Sequence, residues 1–244
     1  MCVKLRLACK AALKGTGMIN HQDWKPEFNV DDVCKRFSAI YTGAISDVLD
    51  EMGYRHQVLP HEIQGLTRED RVAGLAMPIK GEPTDSTDPE EIFVPMLKML
   101  GDLGAGDVIV SQPNDMTSAH LGELSAESAK FRRARGAVID GGTRDVEYIL
   151  KLGFPVFCRY RTPQDILGRW RLVSYGQPVQ IGQVAVHRGD FVVGDMDGVL
   201  VIPRDVTLEV LGRAEEVMGT ENLVRQAIME GVRPLDAYRQ HGRF

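Results

Sequence analysis

Three short stretches of this 244-residue chain gather side chains able to do chemistry. The first is His120-Leu121-Gly122-Glu123-Leu124-Ser125. A glycine just ahead of a helix lets a ligand approach the backbone. The first helical N–H groups lack intrahelical acceptors and suit a carboxylate or phosphate. The same text also fits an ordinary turn before a helix. The second stretch is Asp140-Gly141-Gly142-Thr143-Arg144-Asp145, at the carboxyl end of a predicted strand, where α/β folds place ligands. Arginine offers a permanent planar cation to a carboxylate or enolate oxygen, and aspartate offers a hard oxygen to Mg²⁺ or Mn²⁺. The two preceding glycines favour close approach to the backbone, although adjacent Arg and Asp also suit a solvated surface pair. The third stretch, Asp195-Met196-Asp197-Gly198-Val199, pairs carboxylates but reads better as a hairpin turn with local hydrogen bonds to Asp and positive φ at Gly. The stretch from Arg159 to Arg171 is basic. It fits a grip on an acidic substrate, a subunit contact or a solvated loop.

These residues need a scaffold, and the hydrophobic pattern supplies one. Residues 30–41 and 42–53 read as two helices, the first capped by Asp31 or Asp32 and the second by Thr42, with Gly53 as its stop. Ile45, Val48, Leu49 and Met52 fall on one helical face. Residues 71–82 read as a strand, placed by Pro78 at an edge or a bulge. Then follow a helix opened by Pro89, a strand over 106–112, a helix from Leu121 stopped by Gly136, a strand over 137–142, a helix ended by Gly153 and a strand over 154–160. This alternation predicts an α/β fold with a largely parallel core. Residues 177–203 read as a β-rich meander with turns at Gly182, at 188–190 and at 195–198. A long helix from Asp205, capped by Asp205 or Thr207, to Gly231 closes the pattern. Residues 1–29 read as an extension and 30–244 as one domain.

Composition narrows the function. Acids outnumber bases 34 to 29 and aromatics are 7%, so neither a basic phosphate footprint nor a base-stacking platform is expected, and no nucleic-acid partner. No run of 18 apolar residues predicts a membrane span. The first 17 residues carry Lys4, Arg6, Lys10 and Lys14, which interrupt any signal-peptide core. Cys2, Cys9, Cys34 and Cys158 lack metal or disulfide spacing and read as free thiols of a cytoplasmic protein. Nucleophile-elbow, phosphate-loop and HExxH patterns are absent.

Residues 121–159 together with 178–203 resemble the family of 4-hydroxy-4-methyl-2-oxoglutarate/4-carboxy-4-hydroxy-2-oxoadipate aldolases, which also contains the RraA-like regulators of ribonuclease E. The combination carries the likeness: Gly122-Glu123-Leu124, then Asp140-Gly141 with Arg144-Asp145, then Asp195, Asp197 and Gly198-Val199, with a similar opening helix over 46–53. The resemblance implies a swivelling α/β/β-type domain with a mixed sheet. It implies a divalent-metal-dependent pyruvate aldolase acting on a 4-hydroxy-2-oxo acid, with oxaloacetate decarboxylation as a side activity. Arg144 then contacts the pyruvyl oxo group and Asp145 ligates Mg²⁺ or Mn²⁺ directly. Glu123 holds metal-bound waters. The amides of Leu124 and Ser125, after Gly122, receive the substrate carboxylate. Ser125 stands where the family usually has Leu, a change that backbone donation tolerates. A second water-holding acid is expected from a neighbouring subunit's C-terminal helix, with Glu221 as its match, in a homotrimer or homohexamer. The alternative within the same resemblance is a non-catalytic RraA-type regulator that binds an RNase E-like partner.

Overall fold

The computed structural model describes residues 26–243, so the expectation of an extension over 1–29 lies almost wholly outside the described residues. Helices α1 (Val30–Ser38) and α2 (Thr42–Glu51) open the fold. Their caps differ from those expected. Asn29 caps α1 by accepting from the Asp32 N–H at 3.1 Å, which leaves Asp31 and Asp32 in the first turn, where negative charge suits the helix dipole. Thr42 is already helical, and its N–H and hydroxyl both donate to buried Asp195, at 2.9 and 2.7 Å. A carboxylate 153 residues away thus replaces the local cap.

The strands are β1 (Gln64–Gly65), β2 (Val72–Pro83), β3 (Asp107–Gln112), β4 (Gly136–Thr143), β5 (Val156–Arg161) and β6 (Trp170–Tyr175). They continue through β7 (Val179–Ile181), β8 (Val184–Val186), β9 (Phe191–Asp195) and β10 (Gly198–Ile202). Helices α3 (Pro89–Gly101), α4 (Glu123–Phe131) and α5 (Val146–Leu152) lie between the strands, and α6 (Thr207–Met229) and α7 (Pro234–His241) end the chain. The main sheet runs β1-β5-β4-β3-β2-β9-β10, with β6 also on β2. Strands β2 to β5 pair in parallel, through registers such as Ala76 with Val108 and Val138 with Phe157, and the remaining pairs are antiparallel. The parallel core expected from the alternation is therefore present, in a mixed sheet. The segment before β1 bonds to β10 (Leu59 N–H to Val199 O, 2.9 Å), which curls the sheet almost closed.

Period-two alternation sends Val72, Ala76, Val108, Val110, Val138, Phe157, Val192 and Val201 to one face, where the β7–β8 hairpin covers them. The other face carries two helical layers. Helices α3, α4 and α5 cover the β3–β5 end through Met77, Ile109, Ile139 and Val156, and α1, α2 and α6 cover the β9–β10 end through Leu75, Phe191, Val193 and Ile202. Each such side chain contributes about 1.5–3 kcal/mol by leaving water.

Four expectations need correction. Strand β2 is central, so of the two alternatives the edge fails and the irregularity is found: Pro78 sits where the partner on one side changes from β9 to β6, so its missing donor falls in the gap between them, and a register shift follows at Lys80/Gly81. Helix α4 stops at Phe131, and Gly136 instead begins β4, because Arg133 takes a positive φ of 64° and turns the chain first. No side chain caps α6: Val206 holds the N-cap position after a 3₁₀ turn over Arg204–Val206. Part of the basic stretch is strand β6, where Arg171 is engaged by Glu82 at 2.7 Å and by Glu91.

Candidate active site

The loop after β3 and the carboxyl end of β4 meet above the helical layer of α3–α5, which brings the first two stretches together. Backbone bonds stitch them: His120 N–H to Gly142 O at 2.9 Å and Arg144 N–H to Leu121 O at 3.0 Å. The Thr143 hydroxyl adds a third bond, to Leu121 O at 2.9 Å. A cleft of about 310 Å³ opens there, lined by residues 119–125, Arg144, Asp145 and Asp165, with Phe93, Met96 and Leu97 of α3 as its apolar wall. Thr143, Arg144 and Asp145 also border a second recess of about 340 Å³ shared with Arg161, Thr162 and Pro163.

Helix α4 begins with Gly122 as N-cap and has no side-chain cap. The Glu123 N–H donates to Asp145 Oδ2 at 3.1 Å, and the first-turn amides of Leu124 and Ser125 have no intrahelical acceptor. Gly122 is required by close approach: a Cβ there would lie 2.6 Å from Asp145 Oδ2. Asp145 itself adopts φ 57°, ψ 32°, the left-handed region, at the N-cap of α5. Its side chain leaves that cap unmade and reaches across to α4. A positive φ is uncommon outside glycine, and aspartate is among the residues that adopt it most readily. Arg144 lies between two acids, with Nη1 2.9 Å from Asp165 Oδ1 and Nε 3.5 Å from Asp145 Oδ2, and all three side chains are a little over one-third exposed.

The structure thus unites Gly122, Glu123, Leu124, Ser125, Arg144 and Asp145 in one cleft. It places Glu221 elsewhere in the same chain, on α6 in the other helical layer, 4.0 Å from Arg243. Asp165 was read only as part of a basic stretch. Its isolated position between Gln164 and Ile166 carries no motif, and only the fold reveals the pair with Arg144. The other members of that stretch are engaged within the protein: Arg159 with Asp140 and Glu62, and Arg161 with Leu66 O at 2.9 Å. The glycine pair also has a different use from the one expected. A Cβ on Gly141 would meet the His120 ring at 2.7 Å, and one on Gly142 would meet Tyr160 at 2.4 Å, so the protein's own rings occupy the space read as room for a ligand.

Asp195 and Asp197 form the expected hairpin turn, in which the Asp197 N–H donates to Asp195 Oδ1 at 3.0 Å. Cys34 and Cys158 are buried free thiols, pushed up to about 11 by that burial, which removes them as nucleophiles. Among the described residues no group of three His, Cys, Asp or Glu side chains gathers to hold a metal. Three carboxylates line the cleft, Glu123, Asp145 and Asp165; Asp165 is engaged by Arg144 at 2.9 Å, which leaves Asp145 and Glu123 as the hard-oxygen pair, with no hydrogen bond to Asp145 Oδ1 among the described residues. That set fits a cation such as Mg²⁺, which keeps most of its waters and takes one or two carboxylates.

Comparison with known proteins places this geometry. The family profile described as RraA-like, Aldolase/RraA, matches residues 42–201. A protein of Halalkalibacterium halodurans provisionally named a 4-hydroxy-4-methyl-2-oxoglutarate aldolase is 31% identical over 208 residues, covering 85% of this chain and 93% of its own. A solved structure described among novel cellulases from gut-associated microbes is 32% identical, with a TM-score of 0.77 over 90% of this chain and 99% of that one. Streptomyces coelicolor RraAS2, described as an unusual member of the RNase ES inhibitor RraA family, shares the fold at a TM-score of 0.73 and 24% identity, covering 83% of this chain and 98% of that one. No helix among the described residues is long and apolar enough to cross a membrane.

Proposed function

The chain belongs to the Aldolase/RraA family, and from that premise we propose that it is a divalent-metal-dependent pyruvate aldolase that cleaves a 4-hydroxy-2-oxo acid. One observation carries the reading: Arg144, Asp145 and the uncapped α4 N-terminus converge on one cleft, with Asp145 Oδ2 3.1 Å from the Glu123 N–H. The amides of Leu124 and Ser125 receive the substrate carboxylate, aided by the helix dipole. Arg144 then faces the 2-oxo oxygen. When the 4-hydroxyl loses its proton and the C3–C4 bond breaks, the electron pair moves into C2–C3 and onto that oxygen, giving a pyruvate enolate and an oxo acid. Arg144 stabilises the charge as it develops, and protonation at C3 completes pyruvate. Asp145 would hold Mg²⁺ or Mn²⁺ directly and Glu123 would hold it through water. When bound, the cation supplies Lewis-acid polarisation of the 2-oxo group. Loss of CO₂ from oxaloacetate yields the same enolate, so decarboxylation belongs to the proposal as a side activity.

Assembly is part of the reading. Leu124 and Phe131 are 77% and 88% exposed, and with Leu152 they line a shallow apolar groove beside the cleft. Exposed apolar surface of this kind suits an interface. A trimer or hexamer built on it would complete the acid set with Glu221 of the partner subunit. Retention of Arg144, Asp145 and Glu123 together favours an enzyme over a regulator that acts only by binding an RNase E-like protein. The test is turnover by Arg144→Ala and Asp145→Ala proteins: retention of full metal-dependent pyruvate release in either sinks the assignment. Pull-down of an RNase E-type region by a protein silent on all substrates supports the regulator instead.

A further inference from the structure

We propose that His120 is an uncharged clamp, a positioning residue that fixes the end of β4 carrying Arg144 and Asp145 against the N-terminus of α4. The ring is fully buried at the floor of the cleft. Its Nε2 lies 3.1 Å from Asp115 Oδ2. Every other group facing that carboxylate is a donor: the Ser118 N–H at 2.9 Å, the Thr117 N–H at 3.0 Å and the Thr117 hydroxyl at 2.7 Å. Asp115 is therefore an acceptor throughout, and Nε2 must carry the hydrogen. On the opposite edge the Gly142 N–H lies 3.3 Å from Nδ1, a contact that a bare Nδ1 accepts. The two partners define one tautomer, neutral with Nε2–H. An imidazolium would set N–H against N–H at Gly142.

The ring is also held from the side. Trp170 packs edge-on against it, with centroids 5.1 Å apart, and the Trp170 indole N–H is fixed by Pro113 O at 2.8 Å. Residue 120 thus grips residue 142 twice, by backbone and by ring. Two residues onward from Gly142 stands Arg144, and three residues onward the same pair of segments makes the Glu123–Asp145 contact. Gly141 is needed for this arrangement because a Cβ would overlap Nδ1. With both ring nitrogens engaged, His120 has no lone pair to offer a substrate proton, so it positions rather than transfers.

The clamp stands independently of the aldolase reading; only its effect on turnover rests on that reading. The test is long-range ¹H–¹⁵N correlation of the imidazole in the full-length protein near neutral pH, with His120→Leu and His120→Asn for comparison. Asn places an acceptor oxygen near the Nδ1 position, and Leu has none. The expected result is Nε2–H with bare Nδ1. In His120→Leu, protection of the Gly142 amide is lost and the Glu123 and Asp145 amide resonances move. His120→Asn stays close to wild type. With turnover, His120→Leu loses about 10²-fold, in kcat rather than KM, as a misplacement of about 1 Å does, and His120→Asn recovers most of it. An Nδ1–H or doubly protonated ring overturns the clamp, as do unmoved Glu123 and Asp145 resonances in His120→Leu. If His120→Leu does not fold, the wild-type tautomer and the His120→Asn amide protection still decide. If the tautomer is as expected and the wild type releases no pyruvate from any substrate, the aldolase reading fails and the clamp remains.

Discussion

Gly122→Ala isolates the contact on which the site depends. Gly122 has φ −131° and ψ −174°, a conformation open to any residue, so alanine brings no backbone strain. Its Cβ, however, would sit 2.6 Å from Asp145 Oδ2 and 3.3 Å from Arg144 Nε. Ordinary contact begins at 3.4 Å, so the carboxylate must retreat by about 0.8 Å. That breaks its hydrogen bond from the Glu123 N–H, now 3.1 Å, and moves the side chain proposed to ligate a metal directly. Alanine at an N-cap costs stability as well, about 1 kcal/mol, or a fall of roughly 2–4 °C in Tm for a domain of this size. The catalytic loss is much larger, about 10²-fold in kcat/KM for a displacement approaching 1 Å. The assay pairs a thermal melt with pyruvate release and a Mn²⁺ titration on the same preparation. A folded Gly122→Ala protein with wild-type turnover and wild-type Mn²⁺ affinity would refute the assigned role of the Asp145–α4 contact.

Further outcomes follow from the same geometry. Arg144→Ala lowers kcat by about 10²–10³-fold, the usual cost of removing a donor to developing oxyanion charge, measured by steady-state pyruvate release. Asp165→Asn leaves Asp145 as the only carboxylate within 4 Å of Arg144 among the described residues, and Mn²⁺ binding followed by calorimetry weakens several-fold. Burial pushes the Asp115 carboxyl up, but hydrogen bonds from Thr117 and Ser118 outweigh it and hold the group at about 2. Because this folded value is depressed, the stability it brings is full above the unfolded value of 3.8 and is lost as pH falls through about 2. Asp115→Asn therefore costs about 2 kcal/mol at neutral pH, and the gap to wild type in denaturant melts narrows between about pH 4 and pH 2. Phe131→Asp, a charge placed on a side chain 88% exposed in one chain, is expected to shift light scattering from the proposed trimer or hexamer to monomer without lowering the stability of the monomer.

The sequence was most informative where a single element decides the outcome. Apolar periodicity located the helix over residues 42–51, local stretches bounded by turn residues located the parallel strands and the long helix α6, and the Gly-Glu-Leu and Arg-Asp stretches fall in the cleft. It was least informative where distant groups decide. Thr42 looks like a cap because threonine commonly caps, but Asp195 reaches it across the fold. Strand β6 was hidden because Arg171 stands second in it, directly after the basic stretch, and Arg171 is held there by Glu82 and Glu91 on neighbouring elements. Helix α7 is short and mostly exposed, with Ala237 as its buried residue, and it lies beyond Gly231, which read as the end of the last helix. The Asp165–Arg144 pair and the His120–Asp115 pair depend on side-chain convergence that spacing does not encode. His120 opened the first stretch, two residues before Gly122, but its type and place gave it no particular role there.

The central claim is that this cleft makes pyruvate by a metal-assisted C–C cleavage. Its most direct test couples pyruvate release to NADH oxidation by lactate dehydrogenase. The panel is oxaloacetate, 4-hydroxy-4-methyl-2-oxoglutarate, 4-carboxy-4-hydroxy-2-oxoadipate and several 2-keto-3-deoxy sugar acids, each with Mg²⁺ and with EDTA. The account predicts turnover of at least one 4-hydroxy-2-oxo acid, abolished by EDTA and restored by Mg²⁺ or Mn²⁺. Silence across the panel from protein shown separately to bind the metal would contradict it.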